Sequence, residues 1–340
     1  MTREWKQQGE RSTPFMLRLL VRSSLRLRRR VIRAALRPIA AYFWLTHPAA
    51  RAASGDFLAR TLGRRPRAAD VVRHFETFAG VSLDRVYMLS GRTAALDIDT
   101  QYGPQARETL MSGRGCILVV AHFGSFEALR VPAIRRRARV VRIVLDRAVG
   151  RMALALLEEL DPDLAAGIID AARPGPDVML DVKHALDAGD IVGIMGDRAR
   201  SDERAVTVDF LGGRARLPAG PWMIAATLGV PVLLGFGVTR GSRRYECRLE
   251  LFSESLVLPR ANRETALHAV VQRYAVRLEE AVRDAPYNWF NFYDYWLSET
   301  GLSETGLPEA GSPAGGLPSD GATGRSDEIR RDDAQPTPQH

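Results

Sequence analysis

Lysine is almost missing from this 340-residue chain: Lys6 and Lys183 are the only two, so the formal net charge of +8 rests on arginine. Arginine presents a planar fork that fits phosphate oxygens, which points to anionic partners without choosing among lipid, sugar phosphate and nucleic acid. Cysteine is as scarce. Cys116 and Cys247 stand alone, one in an apolar run and one in an alternating segment. That excludes a disulfide framework and a cysteine-based zinc site, and makes a reducing compartment the plain expectation. No apolar run reaches the roughly 18 residues of an ordinary transmembrane helix. The N-terminus also lacks the apolar core and cleavage site of a secretory signal. What remains is an ordinary globular composition, 46% apolar and 26% charged, with enough chain for a sizeable core.

The stretch from Gly115 to Glu127 organises the rest. Cys116 to Ala121 is a continuous apolar run with the length and β-branched content of a buried strand. It stops at His122, passes through Gly124 and Ser125, and enters a helix-like segment from Glu127 to Arg137. An imidazole at a strand end, five positions before a carboxylate, suits a general base with an orienting partner. The bare spacing is common by chance, and a strand-end histidine bonded to backbone is the competing structural reading.

Further along, strand patterns at Arg139–Leu145, Gly167–Ile169, Ile191–Met195 and Gly229–Val238 alternate with helical patterns at 150–160, Asp177–Ala188 and Trp222–Leu228. This order predicts an α/β fold: a mixed, largely parallel sheet flanked by helices. Tyr245–Leu251 is expected to pair with Gly229–Val238 as a hairpin, and Asn262–Arg283 forms a long helix. Short helices at 58–62, 71–79 and 106–111, and a short strand at 96–99, precede the central stretch. In such sheets functional groups collect at strand ends. Asp197-Arg198, after Ile191–Met195, is therefore the second candidate: Arg198 for an anionic group, Asp197 to position it or a hydroxyl. Arg216 and Arg130 are weaker phosphate-binding candidates, and Gly220 in Leu217-Pro-Ala-Gly-Pro221 offers backbone donors. His74 receives no role. The block from Pro286 to Trp296 has seven aromatics in eleven residues, read as packing rather than as an acyl pocket.

Three regions follow. Residues 1–45 form a basic, amphipathic, membrane-associating region. Between Phe15 and Pro38, Arg18, Arg22, Arg26, Arg29, Arg30, Arg33 and Arg37 fall in an arc of about 120° at helical spacing, opposite a wide apolar face. Such a helix suits an anionic membrane surface. Residues 46–297 hold the folded domain. Residues 298–340 open on a repeated Ser-Glu-Thr-Gly-Leu and continue rich in Pro, Gly, Ser and Asp; they are expected to be disordered and dispensable.

Rival chemistries fit less well. Ser125 lacks the Gly-x-Ser-x-Gly frame of a hydrolase. Six scattered histidines offer no metal set, and no metal or other cofactor is expected. A basic membrane- or nucleic-acid-binding protein, with His122 and Glu127 merely structural, accounts for the arginine face. It leaves the strand-end His and Asp without a purpose, so no nucleic acid is expected as a partner.

Several ordered blocks then carry a resemblance: His122-x4-Glu127, Gly196-Asp-Arg198, Phe210-Leu-Gly-Gly213, Leu217-Pro-Ala-Gly-Pro221, Val230-Pro231 and Trp289-Phe-Asn-Phe-Tyr-Asp-Tyr-Trp296. Together they resemble the bacterial lysophospholipid acyltransferase superfamily, and more narrowly its late lipid A biosynthesis (lauroyl/myristoyl) branch, over roughly Trp5 to Trp296. The resemblance implies a glycerolipid acyltransferase-like fold and an O-acyltransferase with His122 and Glu127 catalytic. Gly124, Ser125, Asp197, Arg198, Arg216 and Gly220 would contact substrate. It implies an acyl carrier protein or coenzyme A thioester as donor, and a hydroxyl of a lipid A precursor-like glycolipid or lysolipid as acceptor. The site of action would be the cytoplasmic face of the inner membrane. Members of the lipid A branch typically have an N-terminal transmembrane helix, where this chain has its arginine-rich segment.

Overall fold

A computed structural model describes residues 21, 29–135, 139–147, 151–200 and 203–297. The side chains of 132–135 and 151–153 lie outside the described set. Among the described residues from Arg29 onward, three helices come first: α1 (Arg29–Thr46), α2 (Pro48–Leu62) and α3 (Ala68–Leu89). There follow β1 (Asp97–Tyr102), α4 (Pro104–Met111), β2 (Cys116–Gly124), α5 (Phe126–Arg135), β3 (Val141–Leu145), α6 (Arg151–Leu160), α7 (Pro162–Ala166), β4 (Ile169–Asp170), α8 (Gly175–Asp187) and β5 (Ile191–Met195). The remainder is β6 (Ala205–Phe210), β7 (Gly213–Pro218), α9 (Gly220–Leu228), β8 (Val232–Thr239), β9 (Arg244–Ser253) and α10 (Arg263–Asp284). By its contacts the chain divides into Met1–Ser298 and Glu299–His340. The second unit, and with it the tail expected to be disordered, lies outside the described residues, as do 1–20 and 22–28.

Seven strands form one sheet in the order β1-β9-β8-β2-β5-β3-β4. All neighbours are parallel except the β8–β9 hairpin. The sheet is thus the mixed, largely parallel one expected of the sequence. Its central strands need no polar face because helices cover both sides, and Cys116–Ala121 is buried throughout. One core cluster joins the helices α2, α8, α9 and α10 to one face through residues such as Ile117, Val192, Trp222 and Leu278. A second gathers Leu118, Val120, Phe126, Leu233 and Tyr245 on the other.

Two elements differ from expectation. Arg214 to Pro218, the stretch just before the helix expected at Trp222–Leu228, is itself a strand, β7, hairpinned to β6 outside the main sheet and followed directly by α9. Ala215 and Leu217 are buried between more exposed Arg214 and Arg216, a period of two too short to stand out between glycines and prolines. The connecting turn places Leu211 at φ 50° and Gly212 at φ 71°, the left-handed pair a two-residue hairpin loop needs. Leu211 tolerates this because its side chain is buried and its N–H donates to Glu279 at 2.6 Å.

The second difference concerns α1. The arginine face expected to meet a membrane turns partly inward. Arg29 is buried and forks onto Asp84 with two 2.7 Å bonds, Arg33 reaches the same carboxylate at 3.3 Å, and Arg37 pairs with Glu76. Tyr245 Oη donates to Asp84 as well, at 2.9 Å. The outward side of α1 is largely apolar: Val31, Ile39, Tyr42, Phe43 and Leu45 are exposed, Leu45 by 65% and Tyr42 by 60%, beside exposed Arg30 and Arg37. No helix among the described residues is long and apolar enough to cross a membrane.

Candidate active site

The parallel pairing of β2 with β5 brings His122 and Asp197 together. Val120 is opposite Met195, and the N–H of Gly196 donates to the Val120 carbonyl at 2.8 Å. The two chains therefore leave the sheet side by side at their carboxyl ends. On the other flank β2 breaks register with β8 between Val120 and Gly124. Gly124, at φ 62°, lies so close to the second strand that a Cβ would stand 1.8 Å from the Gly237 carbonyl oxygen; a Cβ on Gly237 would meet the Ser125 oxygen at 2.0 Å. Only glycine fits either place. This irregular strand end leaves the His122 side chain 39% exposed while its neighbours are buried.

Asp197 is fully buried and surrounded by donors. Its Oδ1 accepts from His122 Nδ1 at 2.9 Å. Its Oδ2 accepts from the His122 main-chain N–H at 3.1 Å and from Trp289 Nε1 at 3.0 Å, with Arg198 Nε 3.8 Å away. Burial by itself raises a carboxyl pKa; His122, Arg198 and the Trp289 N–H overcome that and bring Asp197 down to about 2. An ionised carboxylate only accepts, so Nδ1 carries the proton and Nε2 presents a lone pair to solvent. Burial lowers the pKa of His122, helped by Arg198 and Arg85 and opposed by Asp197. The imidazole is accordingly neutral at pH 7.

The expected pairing of His122 with Glu127 is not made. Glu127 Oε1 lies 2.6 Å from Arg85 Nε, as an ion pair without a well-aligned N–H, and Oε2 accepts the Ser125 hydroxyl at 3.1 Å. The helix geometry explains it: Glu127 sits in the first turn of α5 and points to α3, whereas Nδ1 of His122 faces β5. Asp197, read as a substrate contact, instead holds the imidazole. Ser125 is also occupied. It is fully buried and caps α5 by accepting from the Ala128 N–H at 3.2 Å. Gly124 serves the close approach of β2 and β8. Arg198 donates to the Phe290 carbonyl at 2.5 Å and lies 5.2 Å from the Tyr293 ring centre. Arg216 is exposed on β7 with no ion pair or hydrogen bond among the described residues, Gly220 opens α9, and Arg130 is engaged by Asp161 at 2.9 Å. Among the described residues no cluster of three or more His, Cys, Asp or Glu could hold a metal ion.

Residues 174–298 match the bacterial lipid A biosynthesis acyltransferase family. Over that stretch, less than half of its length, the chain is similar to lipid acyltransferases. The matched part contains Asp197, Arg198, Arg216, Gly220 and the aromatic block, while His122 and Glu127 precede it. No curated protein matches the chain.

Some of the site is invisible in the linear sequence. Trp289 lies 92 residues from Asp197, and its ring is fixed edge-on by Phe57, Phe210 and Tyr295. Its carbonyl accepts from His74 Nε2 at 2.9 Å, and the other ring nitrogen of His74 meets Ser54 Oγ at 2.8 Å. The Phe290 N–H donates to the His122 carbonyl at 3.0 Å. The sequence signals for this strap are the density of aromatics and its place among the blocks that carry the resemblance.

Proposed function

We propose that the protein transfers a fatty acyl group from an acyl carrier protein or coenzyme A thioester to a hydroxyl of a lipid or glycolipid acceptor. The observation that carries this reading is the neutral, half-exposed His122 with buried Asp197 on its Nδ1, in a chain whose residues 174–298 match a lipid acyltransferase family. An alcohol is too weak an acid to lose its proton unaided at neutral pH. His122 Nε2 takes that proton as the alcohol oxygen attacks the thioester carbonyl. Asp197 keeps the tautomer and stabilises the imidazolium, the part the acid plays in a Ser-His-acid arrangement. Collapse of the tetrahedral intermediate breaks the C–S bond, and the leaving thiolate, with an ordinary pKa near 8.5, receives the proton back from His122. The acceptor is the nucleophile, so no acyl-enzyme forms. Glu127 acts at one remove, by holding Arg85. Arg198 and exposed Arg216 supply charge for phosphate groups of the donor or acceptor.

The place of work in this reading is the cytoplasmic face of the inner membrane. The exposed apolar side of α1 supports it: a lipid interface covers such a stripe without requiring the clamped arginines to turn outward. The test is reconstitution. Purified protein, incubated with a long-chain acyl-CoA or acyl carrier protein thioester and a lipid extract, yields an acylated lipid detectable by mass spectrometry. His122→Ala abolishes that product in a protein that still folds. Undiminished product from this variant would sink the mechanism.

A further inference from the structure

We propose that Trp289 is a positioning residue for the His122–Asp197 pair, and that His74 and Ser54 hold it in place. The inference rests on one dipeptide touching both members of the pair. The Trp289 indole N–H binds Asp197 Oδ2, and the next residue's N–H binds the His122 carbonyl. The same dipeptide is fixed from behind. The donor of His74 goes to the Trp289 carbonyl, which accepts only. Its Nε2 therefore carries the proton and its Nδ1 accepts the Ser54 hydroxyl. A relay of bonds thus runs Ser54–His74–Trp289–Asp197–His122, from α2 to the strand end.

Packing gives the relay its rigidity. Trp289 and His74 are fully buried, and Phe57 contacts both rings, at 5.1 Å and 5.3 Å between centroids. Without the indole donor, Oδ2 of Asp197 would keep only the main-chain N–H of His122 and the distant Arg198, and the carboxylate would be freer to swing. Its charge would also be less shared and would attract the imidazolium more strongly. The charged and titratable groups facing this pair are Arg198 and Arg85 around His122, and Arg198, Tyr274, Tyr293 and Tyr295 around Asp197. None of them replaces the indole N–H.

The proposal deepens the catalytic reading, yet its test needs no substrate. In Trp289→Phe the ring packing is largely kept and the N–H is lost. With ¹³C-histidine labelling, and the His122 signal assigned from its absence in His122→Asn, the His122 titration midpoint rises in Trp289→Phe by roughly half a pH unit or more. A folded variant whose His122 midpoint equals that of the parent would overturn the proposal. If Trp289→Phe fails to fold, the unaltered protein decides. The Trp289 indole proton, assigned by its contacts to Phe57 and Phe210, moves with the same midpoint as His122; an indole signal flat through that titration overturns the proposal equally. Failure of acyl transfer in reconstitution would leave both readouts standing, so the two ideas fail separately.

Discussion

The base proposed for acyl transfer has to be unprotonated before the acceptor arrives, and burial together with Arg198 and Arg85 lowers the pKa of His122 in that direction. Because its pKa is lowered, kcat/KM rises with pH through a limb centred below the ordinary histidine value of about 6.5 and is level by neutrality. Glu127 answers the charge of Arg85. In Glu127→Gln the cation acts unopposed, so the acid limb moves to still lower pH; a limb displaced upward would contradict the assignment. Asp197→Asn removes the carboxylate that selects the tautomer. Turnover should fall by roughly a thousandfold or more while thermal unfolding still shows a folded protein. An effect under tenfold would mean that Asp197 does not orient the base. The sequence marks His122, Asp197 and Glu127 as candidates by where they fall in their segments. It does not say which carboxylate faces Nδ1, because that depends on β5 lying beside β2.

At the scale of elements, α1 departs furthest from what its sequence pattern implies. Periodicity separates arginines from apolar residues correctly but cannot say which side is covered. The deciding group is Asp84, buried on α3 and able to satisfy Arg29, Arg33 and Tyr245 together. Asp84→Ala leaves a buried guanidinium unpaired and should cost about 3–5 kcal/mol in urea unfolding. If lipid covers the outer stripe, Tyr42→Ser with Leu45→Ser should weaken vesicle binding about tenfold or more per side chain, at roughly 1.5–3 kcal/mol each. Raising the salt concentration should change that binding little. Binding lost in salt but indifferent to these substitutions would return the role to the arginines. The turn from β2 into α5 is stricter. Gly124→Ala puts a methyl against backbone at a positive φ, and should lose both stability and turnover, which denaturation midpoints and rates will report together.

For the whole molecule, His74 ties acid stability to the aromatic strap. Burial pushes its pKa down to about 4, against the carbonyl of Trp289 that favours the charged form. The unfolded chain binds this proton below about 6.5, the folded one only near 4. Stability from the neutral ring is therefore complete above 6.5 and declines as pH falls toward 4, by about 3 kcal/mol in all. Asp197 works in a lower window, its contribution present above the ordinary aspartate value and lost toward pH 2. Denaturation curves at pH 7 and pH 5 should differ by about 2 kcal/mol more for the parent than for His74→Gln. Equal differences would mean that His74 titrates normally and is not enclosed.

Local chemistry was enough for most strands and helices and for the alternation that makes an α/β sheet, because those depend on residues a few positions apart. The arginine-rich helix and the strand-end histidine were legible for the same reason. Long-range placement was not: the choice of Asp197 over Glu127 as partner, the burial of Arg29, and the bond from Trp289 to Asp197 all join residues 55 to 92 positions apart. Such pairs form only when helices and sheet pack and exclude water. Burial then makes each charged group seek the nearest donor in space rather than in sequence.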